Sequence, residues 1–360
     1  MRKIVIAMSI FTSSFINSDS TEKANAYLKH LTEQGLFNGS VLIAHDNKIL
    51  LKKGYGLASY EFSIQNTPQT KFRIASISKP ITALAIIQLQ ERNLLNVQDT
   101  LSTYIPDYPH GNTITIHNLL THTSGIFNLI ELPNIKTLLC APTTIENEID
   151  LFKDKPLVFE PGTKFAYSNS NYILLTYIIE KASGKPYGTF IKENILAPLG
   201  MKDTGRDDST LILKDRATGY CIKDTSLQLA DHLDMTWAQG SGGLYSTVDD
   251  LYLFDQALYT KKLLNQKSKD LLFTSYIPMQ TIYPLTFTSD PRSYGYGWEV
   301  GTLFNKRYIG HWGLMNGCTS ELLRFIDDKV VIILLSNFEH VNIRKIAQDL
   351  ASFIFEVNQS

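Results

Sequence analysis

Three cysteines in 360 residues, Cys140, Cys221 and Cys318, make no CxxC pair and no disulfide framework. The 8 histidines form no HxxxH pair. Asp231-His232-Leu233-Asp234 is the nearest approach to a ligand cluster, and it reads as polar loop, so no metal or other cofactor is expected. An excess of one charge is missing too. The chain carries 34 basic and 35 acidic residues, a net charge of −1, with no basic stripe and no acidic tail. That argues against nucleic acid as a partner and for a small-molecule or short-peptide substrate.

Nor is there a hydrophobic run long enough to cross a bilayer. The nearest is "MRKIVIAMSIFTSSFINSDS", where Arg2 and Lys3 precede an apolar stretch from Ile4 to Ile16. That is the layout of a signal peptide. Residues 1–20 are read as a possible one, implying export to the periplasm, the cell surface or the medium. The alternative is a frayed end on a cytoplasmic protein. The sequence is silent on oligomeric state.

What is present is a 44% hydrophobic chain able to bury a large core. Residues 21–34 have the spacing of an amphipathic helix. "GSVLIAHDNKILLKKGYG" (39–56) reads as a β-hairpin turning at Asp46-Asn47. Helical periodicity takes over from Ser76 and persists through the middle third, with Gly184 placed to end a helix. Strand signals return from about 294 in "YGYGWEVG", "RYIGHWG", "CTSELLRFID" and "KVVIILLSN". "VNIRKIAQDLASFIFEV" closes the chain as a helix. The expected fold is α/β: an antiparallel sheet built from both chain ends and covered by the terminal helices, with a mainly helical lobe inserted between. As one catalytic domain over 21–360, its sheet lobe takes about 21–72 and 235–360, and its helical lobe about 73–234. The cleft between them is the expected site.

Ser76 opens the helical lobe in "FRIASISKPITALAIIQL", with Lys79 three residues on. On a helix the two share a face, about 5–6 Å apart at Cβ. A serine needs a base to become nucleophilic, and a lysine can serve if burial lowers its pKa. The same pair can equally be a capping serine and a solvated lysine, and Ser-x-x-Lys recurs at Ser20–Lys23 with nothing around it. Tyr167-Ser168-Asn169, the only Tyr-x-Asn in the chain, lies in a turn before a helix. His311 and Gly313 alternate on a strand and face one way. Glycine there admits a substrate backbone, and the Leu314 N–H is placed to join that of Ser76 at an oxyanion.

Ser76-Ile77-Ser78-Lys79, Tyr167-Ser168-Asn169 and His311-Trp312-Gly313 stand in the order of the serine β-lactamase-like superfamily, and the chain resembles its class C β-lactamase, penicillin-binding protein, D-peptidase and esterase branch. "LLTHTSGI" (119–126), "EPGTKFAYSN" (160–169), "LGMKDTG" (199–205) and "GSGGLYSTVDDL" (240–251) extend the likeness over about 21–355. The resemblance implies a serine hydrolase that forms an acyl-enzyme on Ser76 and cleaves amide or ester bonds of small substrates such as D-amino-acid peptides. Lys79 and Tyr167 would move the proton, while Asn169, His311, Trp312, Gly313 and Leu314 would bind substrate. β-Lactamase, carboxylesterase and a non-catalytic penicillin-binding or assembly module are the alternatives. Two departures bear on substrate. Trp312 stands where carboxylate-binding relatives often carry a hydroxyl, and Leu314-Met315 replaces small residues, both making the rim bulkier. Arg344 reads as a solvated helix charge, with carboxylate anchoring as its other reading.

Overall fold

The computed structural model describes residues 18–279 and 292–357. Most of the segment read as a signal peptide lies outside them. The first helix, α1, runs from Ser18 to Glu33 and so begins just inside that segment.

Strands β1 (Gly39–His45) and β2 (Lys48–Tyr55) form the expected hairpin. Asp46 and Asn47 at its turn both take positive φ, 46° and 65°, the conformation a two-residue turn of this hand requires. Near the other end of the chain come β3 (Ile277–Pro278), β4 (Ser293–Tyr294), β5 (Glu299–Leu303), β6 (Lys306–Met315), β7 (Cys318–Phe325) and β8 (Val330–Ser336). These eight strands form one antiparallel sheet in the order β3-β4-β5-β6-β7-β8-β1-β2. The N-terminal hairpin joins it at β8, with Gly39 opposite Ser336 and His45 opposite Val330. Exposed Lys48, Lys52 and Lys53 line the edge strand β2, where charge discourages further pairing.

Every residue of β7 and β8 is buried, because both faces of the sheet are covered. Outward-facing Val41, Ile43, Leu323, Phe325, Ile332 and Leu334 pack with Leu28 of α1 and with Ile346 and Leu350 of the last helix, Ile343–Ile354. Inward-facing Leu42, Ile309, Leu322, Ile333 and Leu335 join the core of the helical lobe. At the centre of that lobe is α2 (Ser78–Glu91). From Ile74 to Leu89 every residue is buried except Ser76, which is half-buried.

One strand expected from the sequence is broken. "YGYGWEVG" (294–301) is strand only at Tyr294 and again from Glu299. Gly297 takes φ 78° and lies so close to α2 that a Cβ there would sit 2.9 Å from the Lys79 carbonyl oxygen. The chain therefore leaves the sheet at 295–298, and β5 pairs with β6 only as far as Gly310. Beyond that point His311–Met315 keeps β7 on one side, and no described strand pairs with the other.

Candidate active site

The β5–β6 hairpin turns on Phe304 and Asn305, both at positive φ, so the flanking Leu303–Lys306 pair is the hydrogen-bonded kind. Alternation then directs the backbone groups of Tyr308 and Gly310 toward β5, and those of Trp312 and Leu314 toward the open side. The amides of 312 and 314 thus line an open strand edge.

Ser76 faces that edge from a single 3-10 turn, Ala75–Ile77, ahead of α2. Neither this turn nor α2 has a side-chain cap, so Ser76 is not a capping serine. Ala75 is held at φ 45°, a left-handed conformation that costs a residue with a Cβ roughly 1–3 kcal/mol. The turn is fastened by Ser320, whose hydroxyl donates to the Ile74 carbonyl at 2.8 Å, and by the Ile74 N–H, which donates to the Leu244 carbonyl at 3.0 Å. Gly313 makes the fit possible. A Cβ there would meet Ser320 Oγ at 2.6 Å, the Ile74 oxygen at 2.7 Å and Ala75 Cβ at 2.8 Å. The segment that approaches Gly313 closely is the nucleophile's own turn, whereas the sequence suggested a substrate backbone. Gly313→Ala should cost about 1–3 kcal/mol by overpacking. It should also slow acylation of Ser76 about a hundredfold, since a displacement near 1 Å has that effect. Urea melts and labelling rates on one preparation check both; a wild-type labelling rate would contradict the account.

Lys79 is fully buried. Its Nζ lies 3.1 Å from Ser76 Oγ, 2.8 Å from Asn169 Oδ1 and 2.6 Å from the Ser241 carbonyl oxygen. Burial holds its pKa well below the usual lysine value. The amide and carbonyl oxygens can only accept. A neutral amine spends its two hydrogens on them and turns its lone pair to Ser76 Oγ. That is the geometry of a general base.

Asn169 opens the helix α3 (Asn169–Ser183), and Tyr167 lies two residues before it. Lys79 Nζ is 4.7 Å from the Tyr167 ring centroid. From the "GSGGLYSTVDDL" landmark, the group that reaches Lys79 is the carbonyl of Ser241.

His311 is buried on the Ser76 side of β6, its ring centroid 6.3 Å from that of Tyr167. Its Nδ1 donates to the Trp312 carbonyl at 2.7 Å, so Nε2 is left to accept from the Tyr294 hydroxyl at 2.9 Å. Burial, with Lys79 nearby, lowers its pKa to about 4. The ring is neutral near pH 7. Tyr294 was missed from the sequence because only the folded chain brings it to His311.

Two expectations are corrected. Trp312 does not join the group: strand alternation turns its side chain away from His311 and Gly313, and its ring lies 5.6 Å from the Arg344 guanidinium. What Trp312 offers the open edge is backbone. Arg344 is no solvated charge. It is buried, and Nη1 and Nη2 donate to the two Glu299 oxygens at 3.1 and 2.7 Å. The second Ser-x-x-Lys is ordinary surface helix, with Lys23 paired to Asp19 at 2.6 Å.

A serine on a strained turn, a buried lysine 3.1 Å from its hydroxyl, and an open strand edge are the parts that nucleophilic catalysis by serine requires. The Beta-lactamase family model matches residues 24–352, and the chain belongs to that family, within the serine β-lactamase and penicillin-binding protein superfamily. Penicillin-binding protein 4* of Bacillus subtilis (strain 168) is 33% identical over 327 residues, covering 86% of this chain and 70% of its own. The teichoic acid D-alanine hydrolase of Staphylococcus aureus is 29% identical over 333 residues, covering 91% and 77%. Among solved structures, the octameric penicillin-binding protein homologue from Pyrococcus abyssi superposes with a TM-score of 0.84 at 28% identity, covering 94% of this chain and 78% of that one. The chain is a serine hydrolase of the penicillin-recognising type.

Proposed function

We propose that this hydrolase releases D-amino acids, D-alanine foremost, from esters or amides whose leaving group carries no carboxylate. Ser76 Oγ attacks the substrate carbonyl while Lys79 Nζ takes its proton. The N–H groups of Ser76 and Leu314 hold the oxyanion, each worth about 2.7–4 kcal/mol in comparable sites. The C–O or C–N bond then breaks, and the proton on Lys79 passes through Tyr167 to the leaving group. Asn169, with Oδ1 committed to Lys79, presents its NH2 to the substrate. Water attacks the acyl-enzyme by the reverse route and frees Ser76.

The observation that carries the chemistry is the Lys79 environment: two acceptor-only partners and the Ser76 hydroxyl around a desolvated amine. Two further observations support the substrate class. His311 is neutral and engaged at both nitrogens, and the Arg344 guanidinium is paired with Glu299. Neither is offered to a terminal carboxylate. The name of the Staphylococcus aureus relative points to D-alanine. Work on envelope polymers also fits the exported location proposed from residues 1–20, and no described helix is long and apolar enough to cross a membrane.

The test is a turnover panel on one preparation: a D-alanyl ester, a D-alanine amide, a D-Ala-D-Ala peptide and a chromogenic cephalosporin. The ester or amide should be hydrolysed with kcat/KM at least equal to that of the peptide. A strong preference for the free-carboxylate peptide would overturn the substrate class, and fast cephalosporin turnover would favour a β-lactamase.

A further inference from the structure

His122, in "LLTHTSGI", is buried at φ 57°, yet no step above uses it. Its carbonyl oxygen accepts the Ala166 N–H at 3.0 Å. Its Nδ1 accepts the Ser168 N–H at 3.2 Å and lies 3.1 Å from Asn171 Nδ2. Asn171 Oδ1 is taken by the Ser124 hydroxyl at 2.6 Å, so the Asn171 NH2 faces the ring and Nδ1 is the unprotonated nitrogen. The ring proton is therefore on Nε2. That atom is buried with no hydrogen-bond partner among the described residues, and the His122 ring centroid lies 4.4, 4.9 and 5.1 Å from those of Tyr167, Tyr294 and Tyr172.

An apolar ring would fill this space without burying an unsatisfied N–H. The acceptor at Nδ1 is what calls for histidine. The Ser168 N–H belongs to the peptide joining Tyr167 to Ser168, so a bond to it fixes that plane and the direction in which the Tyr167 side chain leaves. The Asn169 N–H is held from the same segment, by Asn128 Oδ1 at 3.0 Å. Tyr167 and Asn169 flank the clamped Ser168, and both reach Lys79.

We propose that His122 is a positioning residue for the reaction, its Nδ1 lone pair clamping the Tyr167–Asn169 loop so that both side chains meet Lys79. The inference rests on the hydrolase reading above, in which those two side chains serve Ser76.

Three variants test it. Asparagine tolerates positive φ, and in His122→Asn its Oδ1 stands close to the place of Nδ1. His122→Gln sets the acceptor one bond farther out, near the place of Nε2, and His122→Ala has none. For each, kcat and KM are measured on a D-alanyl ester, labelling by a fluorophosphonate is timed, and folding is followed by circular dichroism and Tm. A loosened loop should cost about a hundredfold in kcat and in labelling for the alanine variant, with KM little changed. His122→Asn should recover most of that loss and His122→Gln little of it. An alanine variant labelled at the wild-type rate overturns the proposal. So does an equal loss in the asparagine and glutamine variants, which would make ring packing the cause; that comparison decides the matter even if the alanine variant fails to fold. A wild-type protein that takes no label would instead overturn the hydrolase reading itself.

Discussion

Replacing Ser76 with alanine should abolish covalent capture of a labelled penicillin or fluorophosphonate while leaving the protein folded. Ser76 Oγ is hydrogen-bonded to Lys79 Nζ and caps no helix. After its loss Lys79 keeps its bonds to Asn169 and to the Ser241 carbonyl. The turn stays fastened through the Ile74 backbone and Ser320, and Gly313 still admits Ala75. A Tm near that of the wild type, with no label incorporated, is the expected pair of results. Label that persists, and maps to Ser78 or Ser124, would refute the assignment. Neither is expected to react. The Ser78 hydroxyl accepts the Leu244 N–H, the Ser124 hydroxyl donates to Asn171, and both side chains are buried.

Lys79→Arg should slow acylation by at least about a hundredfold, the lower range for lost general-base catalysis. The guanidinium keeps the positive charge but stays protonated at any working pH, so it has no lone pair for the Ser76 proton. It must also fit a fully buried space shaped for an amine. Wild-type acylation should decline as the pH is lowered through the depressed pKa of Lys79, because protonation occupies the lone pair. In Lys79→Arg the residual rate should lose that acid limb. Labelling rates measured against pH on both proteins separate the two roles of a lysine here. If the arginine variant acylates at nearly the wild-type rate, the lysine gives only electrostatic support and the base lies elsewhere, with Tyr167 the next to examine.

The legible parts of the site were those encoded by short spacing. The three-position step from Ser76 to Lys79 becomes one helical turn, and alternation on β6 puts His311 with Gly313. Alternation also held the answer for Trp312: a residue between two inward-facing neighbours must face outward. The sequence likeness alone had made it part of the rim. Arg344 was misread because its partner, Glu299, lies 45 positions away, and an arginine near the start of a helix carries no mark of burial. His122 was visible within a family landmark, but the positive φ and the two donors that converge on Nδ1 belong to the folded chain.

By itself the sequence determined the fold class and the turn residues of the first hairpin, and its motifs singled out Ser76, Lys79 and the Tyr167–Asn169 loop as the candidate site. The first two rest on local periodicity and turn chemistry that hold wherever the segment is placed, and the third on the order of three family motifs. Tertiary structure alone decided that Lys79 is desolvated and faces two acceptors, since the Ser241 carbonyl and Asn169 arrive from segments 162 and 90 residues away. It also decided that β6 has an open edge, because Gly297 lets the chain leave the sheet to pack on α2. Burial and convergence at a point are properties of the packed chain. A lysine has an ordinary pKa until the other elements exclude water from it.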